Sequence, residues 1–274
     1  MRPVFANSAW VTAPERLIQR NGRWRRRWLQ VRYGLFIHPK AGPTLIDTGY
    51  TSHSLNTSSR TLALRSYAGI LAPRLVVQEQ AGPFLTQFGL TAADISGVIV
   101  THFHADHVSG LAAFPNARFI ASGAAWAQVK GNSALQNLRH GVFAELIPED
   151  FGTRLDMVEE CASQKIAHLP DGHDIFGDGS VLAVPLPGHA HGHFGLLFGQ
   201  LEVPILYATD TQWVGEALLQ GGRPRLFPRL ISDCFPEVAR SSEQVAAFQK
   251  AGGEVLLCHD TAPSQFDFAQ GAEL

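Results

Sequence analysis

The sequence predicts an α/β fold, and three observations lead to this prediction. Short, continuously apolar runs such as residues 97–101 (GVIVT) are typical of strands buried on both faces of a sheet. Segments with helical character, such as residues 123–130, alternate with these runs. No Pro/Gly/Ser-rich linker, low-complexity segment or sequence repeat divides the chain. We therefore expect one domain over residues 1–274.

The elements of the first half can be placed in order. Residues 28–38 and 44–46 are predicted strands separated by a turn. Residues 51–75 are rich in Ser and Thr without clear periodicity, which indicates a long, partly irregular connection. A helix is predicted over residues 78–89, and Thr91 to Asp94 has the form of a capping box.

The second half continues the alternation. Further strands are predicted at residues 118–121, 181–186, 194–198, 203–208 and 254–258, the third and fourth of these as a hairpin. A helix is predicted near residues 241–251, with Ser241 and Gln244 in capping-box spacing. Residues 131–175 contain one amphipathic stretch, 138–147, which indicates either a lid or packing helices.

Composition excludes several functional classes. Hydrophobic residues make up 45% of the chain and charged residues 17%, so a large core can form. The net charge of -2 provides no basic field for nucleic acid, and the arginine run at residues 20–27 is interpreted as a solvated loop beside a strand. No apolar stretch reaches 18 residues, which argues against a membrane span. Three cysteines without a CxxC pattern and an N-terminus without a secretory signal favour the cytoplasm.

The segment 101–107 (THFHADH) concentrates metal-binding side chains directly after a predicted buried strand. Three histidines and one carboxylate within six residues suit a borderline-soft divalent ion. His102 and His104 alternate in an extended segment, so they point the same way and can share one ion. Asp106 and His107 follow a turn of the chain, which suits a second ion. A buried cluster of this kind without metal would contain several unpaired polar groups.

THFHADH resembles the HxHxDH signature of the metallo-β-lactamase superfamily, and the resemblance extends across almost the whole chain. It implies a four-layer αββα sandwich with two metal ions at one edge of the sheets. It also implies further ligands at the ends of later strands. His189 in PGH, Asp210 in TDT and His259 in HD each follow a predicted strand.

The resemblance assigns each ligand to an ion. His102, His104 and His189 correspond to the ligands of the first ion, Asp106, His107 and His259 to those of the second, and Asp210 to the bridge. The ions are expected to be zinc, with Mn²⁺ or Fe²⁺ as alternatives. A hydroxide between them would be the nucleophile, because divalent metals lower the pKa of bound water to about 7. Asp106 would orient this hydroxide and later protonate the leaving group, which makes it the expected catalytic residue.

Two further positions match the family without being ligands. Asp47 in LIDTG corresponds to a residue that usually supports the metal site from behind. His193 matches the second histidine of the family's PGHxxGH pattern. It is expected either to support the ligands in the same way or simply to pack in the core.

The predicted ligands limit which activities of the superfamily this chain can have. Its di-iron redox branch typically has Glu in place of His104, so His104 favours hydrolysis. Many metallo-β-lactamases proper have Cys or no bridging carboxylate in place of Asp210, and they are usually exported. Nucleic-acid-processing members usually have an extra domain or a basic surface. Lactonases, thioesterases of the glyoxalase II type and small phosphodiesterases remain.

Within this group the segments VIVTHFHADHVSGLAAFPNARFI, PLPGHAHGH and LLCHD look most like N-acyl-homoserine lactone lactonases. Lactonases of that type often have Tyr three residues after the bridging Asp, where this chain has Trp213. We therefore predict a dinuclear hydrolase that opens a lactone or ester-type bond. Two other readings are an enzyme similar to the mononuclear iron persulfide dioxygenases and a non-catalytic binding protein.

The substrate is expected to be a small molecule with an apolar portion. Trp213 lies three residues after a ligand, and its large apolar surface suits an acyl chain or ring. We expect it to line the substrate pocket together with residues 131–147. If residues 138–147 are helical, one face of that helix presents four apolar side chains: Leu138, Val142, Phe143 and Leu146. The alternative is that all of these residues pack in the core.

Overall fold

The computed structural model of the chain describes residues 2–19, 22–55, 60–219 and 232–269. Its strands form two sheets. The seven-stranded sheet has the order β4-β1-β2-β3-β5-β6-β7, and these strands are, in chain order, Val4–Pro14, Arg26–His38, Gly42–Ile46, Arg74–Leu75, Gly97–Val100, Arg118–Ala121 and Leu155–Met157. The six-stranded sheet has the order β13-β12-β11-β10-β9-β8, and its strands β8 to β13 are Ser163–Gln164, Gly172–Asp174, Leu182–Pro185, Phe194–Phe198, Ile205–Tyr207 and Glu254–Leu256.

The helices connect these strands. In chain order, α1 to α9 are Glu15–Ile18, Ser52–Leu55, Leu62–Leu71, Ala81–Thr86, Ala105–Val108, Gly123–Gly131, Ala134–Arg139, Gly215–Leu219 and Phe235–Lys250. In the described ranges, no helix is both long enough and apolar enough to cross a membrane.

Strand direction determines which loops meet. In the first sheet β3, β5, β6 and β7 run parallel, and all four residues of β5 are buried, as its apolar sequence predicts. In the second sheet β10 and β12 are both antiparallel to β11, and β13 is parallel to β12. The carboxyl ends of β10, β12 and β13 therefore lie at the same edge of this sheet. The predicted hairpin formed by β11 and β12 is confirmed.

The two sheets pack face to face through aromatic side chains. The ring centroid of Phe5 in β1 lies 4.7 Å from that of Tyr207 in β12, and the rings of Phe36 in β2 and Phe198 in β11 lie 5.4 Å apart. These contacts close the inner core of the sandwich.

Helices cover both outer faces of the sandwich. Phe84 of α4 packs on Tyr33 of β2, with ring centroids 5.4 Å apart. Val245 and Phe248 of α9 are buried with Leu206 of β12 in a separate apolar cluster. This arrangement is the predicted four-layer αββα sandwich, and the prediction of the fold class is confirmed.

Sequence reasoning missed or misplaced several elements. It did not predict β1, although this strand pairs with β2 along most of its length. Residues 51–75, expected to be an irregular connection, contain α2 and α3. The helix expected near residues 241–251 begins instead at Phe235, so Ser241 is not its cap. The Ser241 hydroxyl donates to the carbonyl of Pro187 at 2.8 Å.

The amphipathic stretch 138–147 is not one helix. Helix α7 ends at Arg139, Gly141 has a left-handed φ of 68°, and a separate 3-10 turn covers Ala144–Leu146. A left-handed residue cannot continue an α-helix, so the three- and four-residue spacing of apolar residues does not describe one helical face. The predicted arginine loop is also shorter than expected, because Arg26 and Arg27 belong to β2, while residues 20–21 lie outside the described residues.

Arg32 in β2 links the two sheets. Its guanidinium is completely buried and forms an ion pair with Asp267, with an Nε to Oδ1 distance of 2.8 Å. It also donates to the carbonyl oxygens of Leu257 and Ala262, each at 2.9 Å, and to that of Asp260. Arg32 therefore fixes the segment that follows β13.

Replacing Arg32 should destabilise the protein strongly. Arg32→Met leaves these carbonyls and Asp267 without their donors, and we expect a loss of about 3–5 kcal/mol in the free energy of unfolding. Urea denaturation measures this loss. The matched control is Arg118→Ala, which breaks an exposed ion pair with Asp156 and should cost less than about 1 kcal/mol. Equal effects of the two substitutions would contradict this role of Arg32.

Candidate metal centre

The candidate metal-binding residues lie on loops that follow the ends of strands at one edge of the sandwich. Strand β5 leads into residues 101–107, where α5 begins at Ala105. His189, Asp210 and His259 follow β10, β12 and β13. Because these three strands run in the same direction, their loops converge on the loop after β5. The fold thus places side chains from four distant parts of the sequence in one cluster.

The first group of donors combines three histidines with a carboxylate. The donor atoms of His102, His104, His189 and Asp210 all lie within 4.8 Å of one another. Nε2 of His189 is 3.0 Å from Nδ1 of His104 and 3.3 Å from Oδ2 of Asp210. Nε2 of His102 is 4.0 Å from the same carboxylate oxygen. These separations suit ligands that share one ion.

The second group lies on the other side of Asp210. Donor atoms of His107, Asp210, Cys258 and His259 also lie within 4.8 Å of one another. Nε2 of His259 is 3.2 Å from Oδ2 of Asp210, and Nε2 of His107 is 3.7 Å from Oδ1. Oδ2 of Asp106 is 3.5 Å from Nε2 of His259 and 3.7 Å from Nε2 of His107. Asp210 therefore belongs to both groups.

The donor set fits divalent ions. Nε2 of His102 and Oδ1 of Asp210 are buried and have no hydrogen-bond partner in the described part of the chain. Buried polar atoms left in this state are costly, and a cation between them would satisfy them. Imidazole nitrogens with a carboxylate oxygen are ligands that zinc prefers.

Burial and neighbouring charges determine the protonation of the cluster. Burial, together with the adjacent histidines, lowers the pKa of His102 and of His104 well below the usual range, which keeps their lone pairs available. Burial also lowers the pKa of His259, but the negative charge of Asp210 outweighs it, and the net pKa lies well above the usual value. Burial raises the pKa of Asp210, but His259 and His107 outweigh this and hold it well below the usual value. Asp210 is therefore ionised, as a carboxylate.

Hydrogen bonds behind the donors orient two of the rings. Asp47 is fully buried, and its Oδ2 accepts from Nδ1 of His107 at 2.8 Å, while Oδ1 accepts from the backbone N–H of Thr101 at 2.9 Å. Nδ1 of His259 donates to the carbonyl of Gln30 at 2.6 Å. In both rings the Nδ1 hydrogen is thus engaged, and Nε2 faces the cluster. Asp47 does not itself lie in either donor group.

His193 lies behind the loop that contains Asp210. Its Nδ1 donates to the carbonyl of Leu186 at 2.6 Å, and its Nε2 accepts from the hydroxyl of Thr209 and from the backbone N–H of Asp210. Burial lowers the pKa of His193 to about 3, so the ring is neutral and Nε2 can accept. Thr209 has a left-handed φ of 47°, and the bond from its hydroxyl to His193 helps to hold this turn. His193 therefore positions the Asp210 loop.

A pocket opens beside the donors and encloses about 90 Å³. Trp213 is one of its lining residues, as expected, and its ring lies 5.4 Å from that of His259. The rest of the wall differs from the prediction. It comes from β1, β2, the loop after β3 and helix α3, and the lining side chains outside the donor groups are Val11, Thr12, Ala13, Leu29, Tyr50, Tyr67, Leu71, Asp106 and Trp213.

The segment 131–147 does not form the wall of this pocket. Val142, Phe143 and Leu146 are buried in the core, and Leu138 packs against it. The ring of Phe143 instead contacts Tyr67 of α3, with centroids 5.0 Å apart. The segment therefore supports α3 from behind.

Sequence reasoning missed Cys258 and every lining residue of the pocket outside the donor groups except Asp106 and Trp213; Tyr50 and Tyr67 are among those missed. Cys258 joins the second donor group, with its Sγ 3.9 Å from Nε2 of His107, and its position directly before His259 was the available signal. Tyr50 follows the LIDTG segment by one residue, so it was also within reach of sequence reasoning. Tyr67 was hidden in a segment predicted to be irregular.

Comparison with known proteins gives concordant results. The sequence model of a family described as the metallo-beta-lactamase superfamily matches residues 26–231. A probable metallo-hydrolase of Mycobacterium bovis is 28% identical over 173 residues, which cover 58% of this chain and 49% of the relative, so the match spans about half of that protein. The N-acyl homoserine lactonase AttM of Azorhizobium caulinodans is 25% identical, with 85% of this chain and 82% of the relative covered.

Solved structures show the same fold. A quorum-quenching N-acyl homoserine lactone lactonase superposes with a TM-score of 0.70 at 16% identity, covering 96% of this chain and 94% of that one. An N-acyl homoserine lactone hydrolase with the product N-hexanoyl-L-homoserine at its metal centre gives a TM-score of 0.70 at 16% identity, covering 95% and 93%.

The bond between Asp47 and His107 provides a test of the second donor group. In Asp47→Asn an amide group takes the place of the carboxylate that accepts from Nδ1 of His107. Because the His107 ring then loses its fixed orientation, we expect about 10- to 100-fold weaker binding of Zn²⁺. Competition with a chromophoric chelator measures this affinity. Asp178→Asn is the matched control, because Asp178 also pairs with a histidine at 2.8 Å, His38, away from the cluster. Unchanged zinc affinity in Asp47→Asn would argue against His107 as a ligand.

Proposed function

The chain belongs to the metallo-β-lactamase superfamily, and we propose that it is a metal-dependent hydrolase that opens lactone or ester bonds of small, partly apolar substrates with two divalent ions. The observation that carries this proposal is Asp210. Its Oδ2 lies 3.3 Å from Nε2 of His189 in the first donor group and 3.2 Å from Nε2 of His259 in the second, so this carboxylate stands between the two groups. A site built for one ion would not need a carboxylate shared in this way.

Each ion would have its own ligands. We assign His102, His104 and His189 to the first ion, Asp106, His107 and His259 to the second, and Asp210 to both. Zinc is the proposed metal, with Mn²⁺ or Fe²⁺ as alternatives, because imidazole-rich sets with one hard oxygen suit all three. When bound, the two ions would supply a hydroxide nucleophile at neutral pH and polarise the substrate.

Asp106 is the proposed proton carrier. Its carboxylate lines the pocket and lies 3.5 Å from Nε2 of His259. From this place it can accept a proton from the attacking water and return it to the leaving oxygen as the ester or lactone bond breaks. In a lactone the leaving oxygen stays attached to the product, so one proton transfer completes the ring opening.

The pocket wall favours an uncharged, apolar substrate. Val11, Leu29, Leu71 and Trp213 provide apolar surface, and no Lys or Arg is among the described lining residues. A phosphodiester would have only the metal ions to balance its charge, without help from Arg or Lys side chains. The lactonases among the relatives and the structural neighbours support the same choice. We therefore place lactones and esters before phosphodiesters and thioesters as substrates.

Metal analysis and a substrate panel test this function together. Protein loaded with zinc, manganese or iron should bind two ions per chain and hydrolyse lactones or esters faster than thioesters, phosphodiesters or β-lactams. His104→Ala should lose activity and much of the first ion, and Asp210→Asn should weaken both sites, since each change leaves an incomplete ligand shell. Full activity with one ion per chain, or wild-type turnover and metal content in Asp210→Ala, would refute the two-ion mechanism.

Trp213 should determine the preference for apolar substrates. Trp213→Ala removes a large apolar wall, and we expect KM for long-chain lactones to rise about 10-fold with metal content nearly unchanged. Trp213→Phe is the control, because it keeps an aromatic wall and should retain most of the affinity. KM values in Trp213→Ala that equal the wild-type values for every chain length would show that Trp213 does not contact the substrate.

A further inference from the structure

The tyrosines of this chain divide into two pairs by the environment of their hydroxyls. The sequence contains four tyrosines. The hydroxyl of Tyr33 donates to the carbonyl of Glu79 at 2.8 Å, and that of Tyr207 to the carbonyl of Arg32 at 3.2 Å. Tyr50 and Tyr67 instead both line the pocket beside the metal ligands. The hydroxyls of the first pair thus bond to backbone carbonyls, whereas those of the second pair lie beside the donor groups and have each other as polar neighbours.

Tyr50 is the more unusual of the two. Its side chain is 1% exposed, and within the described ranges its buried hydroxyl has no partner in full hydrogen-bond geometry, although the Tyr67 hydroxyl is a polar neighbour. The backbone around it is tightly held, because its N–H donates to Oγ of Ser8 at 2.9 Å and Gly49 before it has a left-handed φ of 66°. A buried hydroxyl without a partner destabilises a protein. Such a group persists where a ligand supplies the partner.

Tyr67 reaches the same pocket from helix α3. A Cβ atom added at Gly141 would lie 3.6 Å from the Tyr67 hydroxyl and 3.4 Å from Cδ2 of His104, so both side chains lie next to Gly141. The start of α3 is held by Thr61, whose backbone N–H donates to Glu145 at 3.2 Å. Together with the contact between Tyr67 and Phe143, this bond fixes the direction of the phenol.

Both phenols are hydrogen-bond donors at neutral pH. Burial is the main cause that raises the pKa of Tyr67, and the negative charge of Asp106 raises it further. Burial raises the pKa of Tyr50 well above its usual value, and electrostatic repulsion from Tyr67 and Asp106 raises this pKa further. Asp106 and Asp210 in the same wall are acceptors when ionised. The hydroxyl of Thr12, another lining residue, accepts from Arg26 at 3.0 Å.

We propose that the Tyr50 and Tyr67 hydroxyls bind the carbonyl oxygen of the ester or lactone under attack and stabilise the negative charge that develops on it. This inference rests on the proposed function and adds the substrate-recognition residues to it. Attack on the carbonyl carbon turns the carbonyl oxygen into an oxyanion, and the C–O bond of the leaving group then breaks. The phenols keep their protons throughout and form no covalent bond. Preorganised donors of this kind contribute chiefly to the transition state.

The test compares Tyr50→Phe and Tyr67→Phe with Tyr33→Phe in the zinc-loaded enzyme, with γ-decalactone as substrate. We expect each pocket variant to lower kcat about 10- to 100-fold, with KM changed only a few-fold and two zinc ions retained. Ki for the γ-lactam with the same alkyl chain should rise several-fold, because its carbonyl occupies the same place. Tyr33→Phe should leave kcat and Ki unchanged.

Thermal stability separates this role from a structural one. Tyr50→Phe removes a buried hydroxyl that has no partner in full hydrogen-bond geometry, so we expect Tm to be unchanged or higher although turnover falls. Tyr33→Phe removes a satisfied hydrogen bond and should lower Tm with turnover intact. A lower Tm in Tyr50→Phe with unchanged kcat would overturn the proposal.

The outcomes also distinguish the two proposals. If the wild-type enzyme hydrolyses γ-decalactone and both pocket variants stay within twofold of its kcat, the tyrosine proposal is wrong and the proposed function stands. If the zinc-loaded wild type hydrolyses neither γ-decalactone nor esters, the proposed function is wrong and the tyrosine proposal falls with it.

Discussion

The concentration of buried donor atoms around Asp210 is the constraint on which the rest of the structure depends. Imidazole nitrogens and carboxylate oxygens approach one another to 3.0–4.0 Å, and two of the buried atoms have no hydrogen-bond partner in the described ranges. Without cations this arrangement would be expensive, since buried polar atoms need partners. The protein tolerates it because two packed sheets hold the loops in place. The packing of the two sheets must therefore be stable enough to hold these donor atoms together.

Two kinds of support keep the donors together. Arg32 fixes the segment after β13, which includes His259, through an ion pair and backbone carbonyls. Asp47 and His193 act more locally, on His107 and on the turn before Asp210. Asp47 and Thr209 both have left-handed backbone conformations, which are unfavourable for residues other than glycine. Such conformations next to the ligands indicate that the ligand geometry takes precedence over local backbone preference.

Sequence reasoning predicted the parts of the molecule that depend on local pattern. Strand β5 and the donors in residues 101–107 form one contiguous segment, so their chemistry could be recognised directly. The resemblance then pointed to His189, Asp210 and His259, and the structure brings them to the same edge. Asp47 could be located by the same route.

The pocket wall could not be predicted in this way, because it depends on tertiary packing. Helix α3 lies in a Ser- and Thr-rich region whose periodicity is weak. Tyr67 lines the pocket from this helix, and Phe143 and Glu145 from a distant segment contact the helix. Residues 138–147 have a helical pattern of apolar residues, but Gly141 interrupts the backbone. Cys258 reaches the second donor group because the loop after β13 turns back toward His107. Each of these outcomes depends on contacts between distant segments.

We propose that Asp210 is shared between two metal ions. X-ray absorption spectroscopy at the zinc edge of the fully loaded protein tests this claim most directly, because it measures the distance between the ions. A carboxylate bridge predicts a zinc–zinc separation of about 3.5–4 Å and a first shell of nitrogen and oxygen donors. A spectrum without a metal–metal contribution at full zinc loading would contradict the two-ion account.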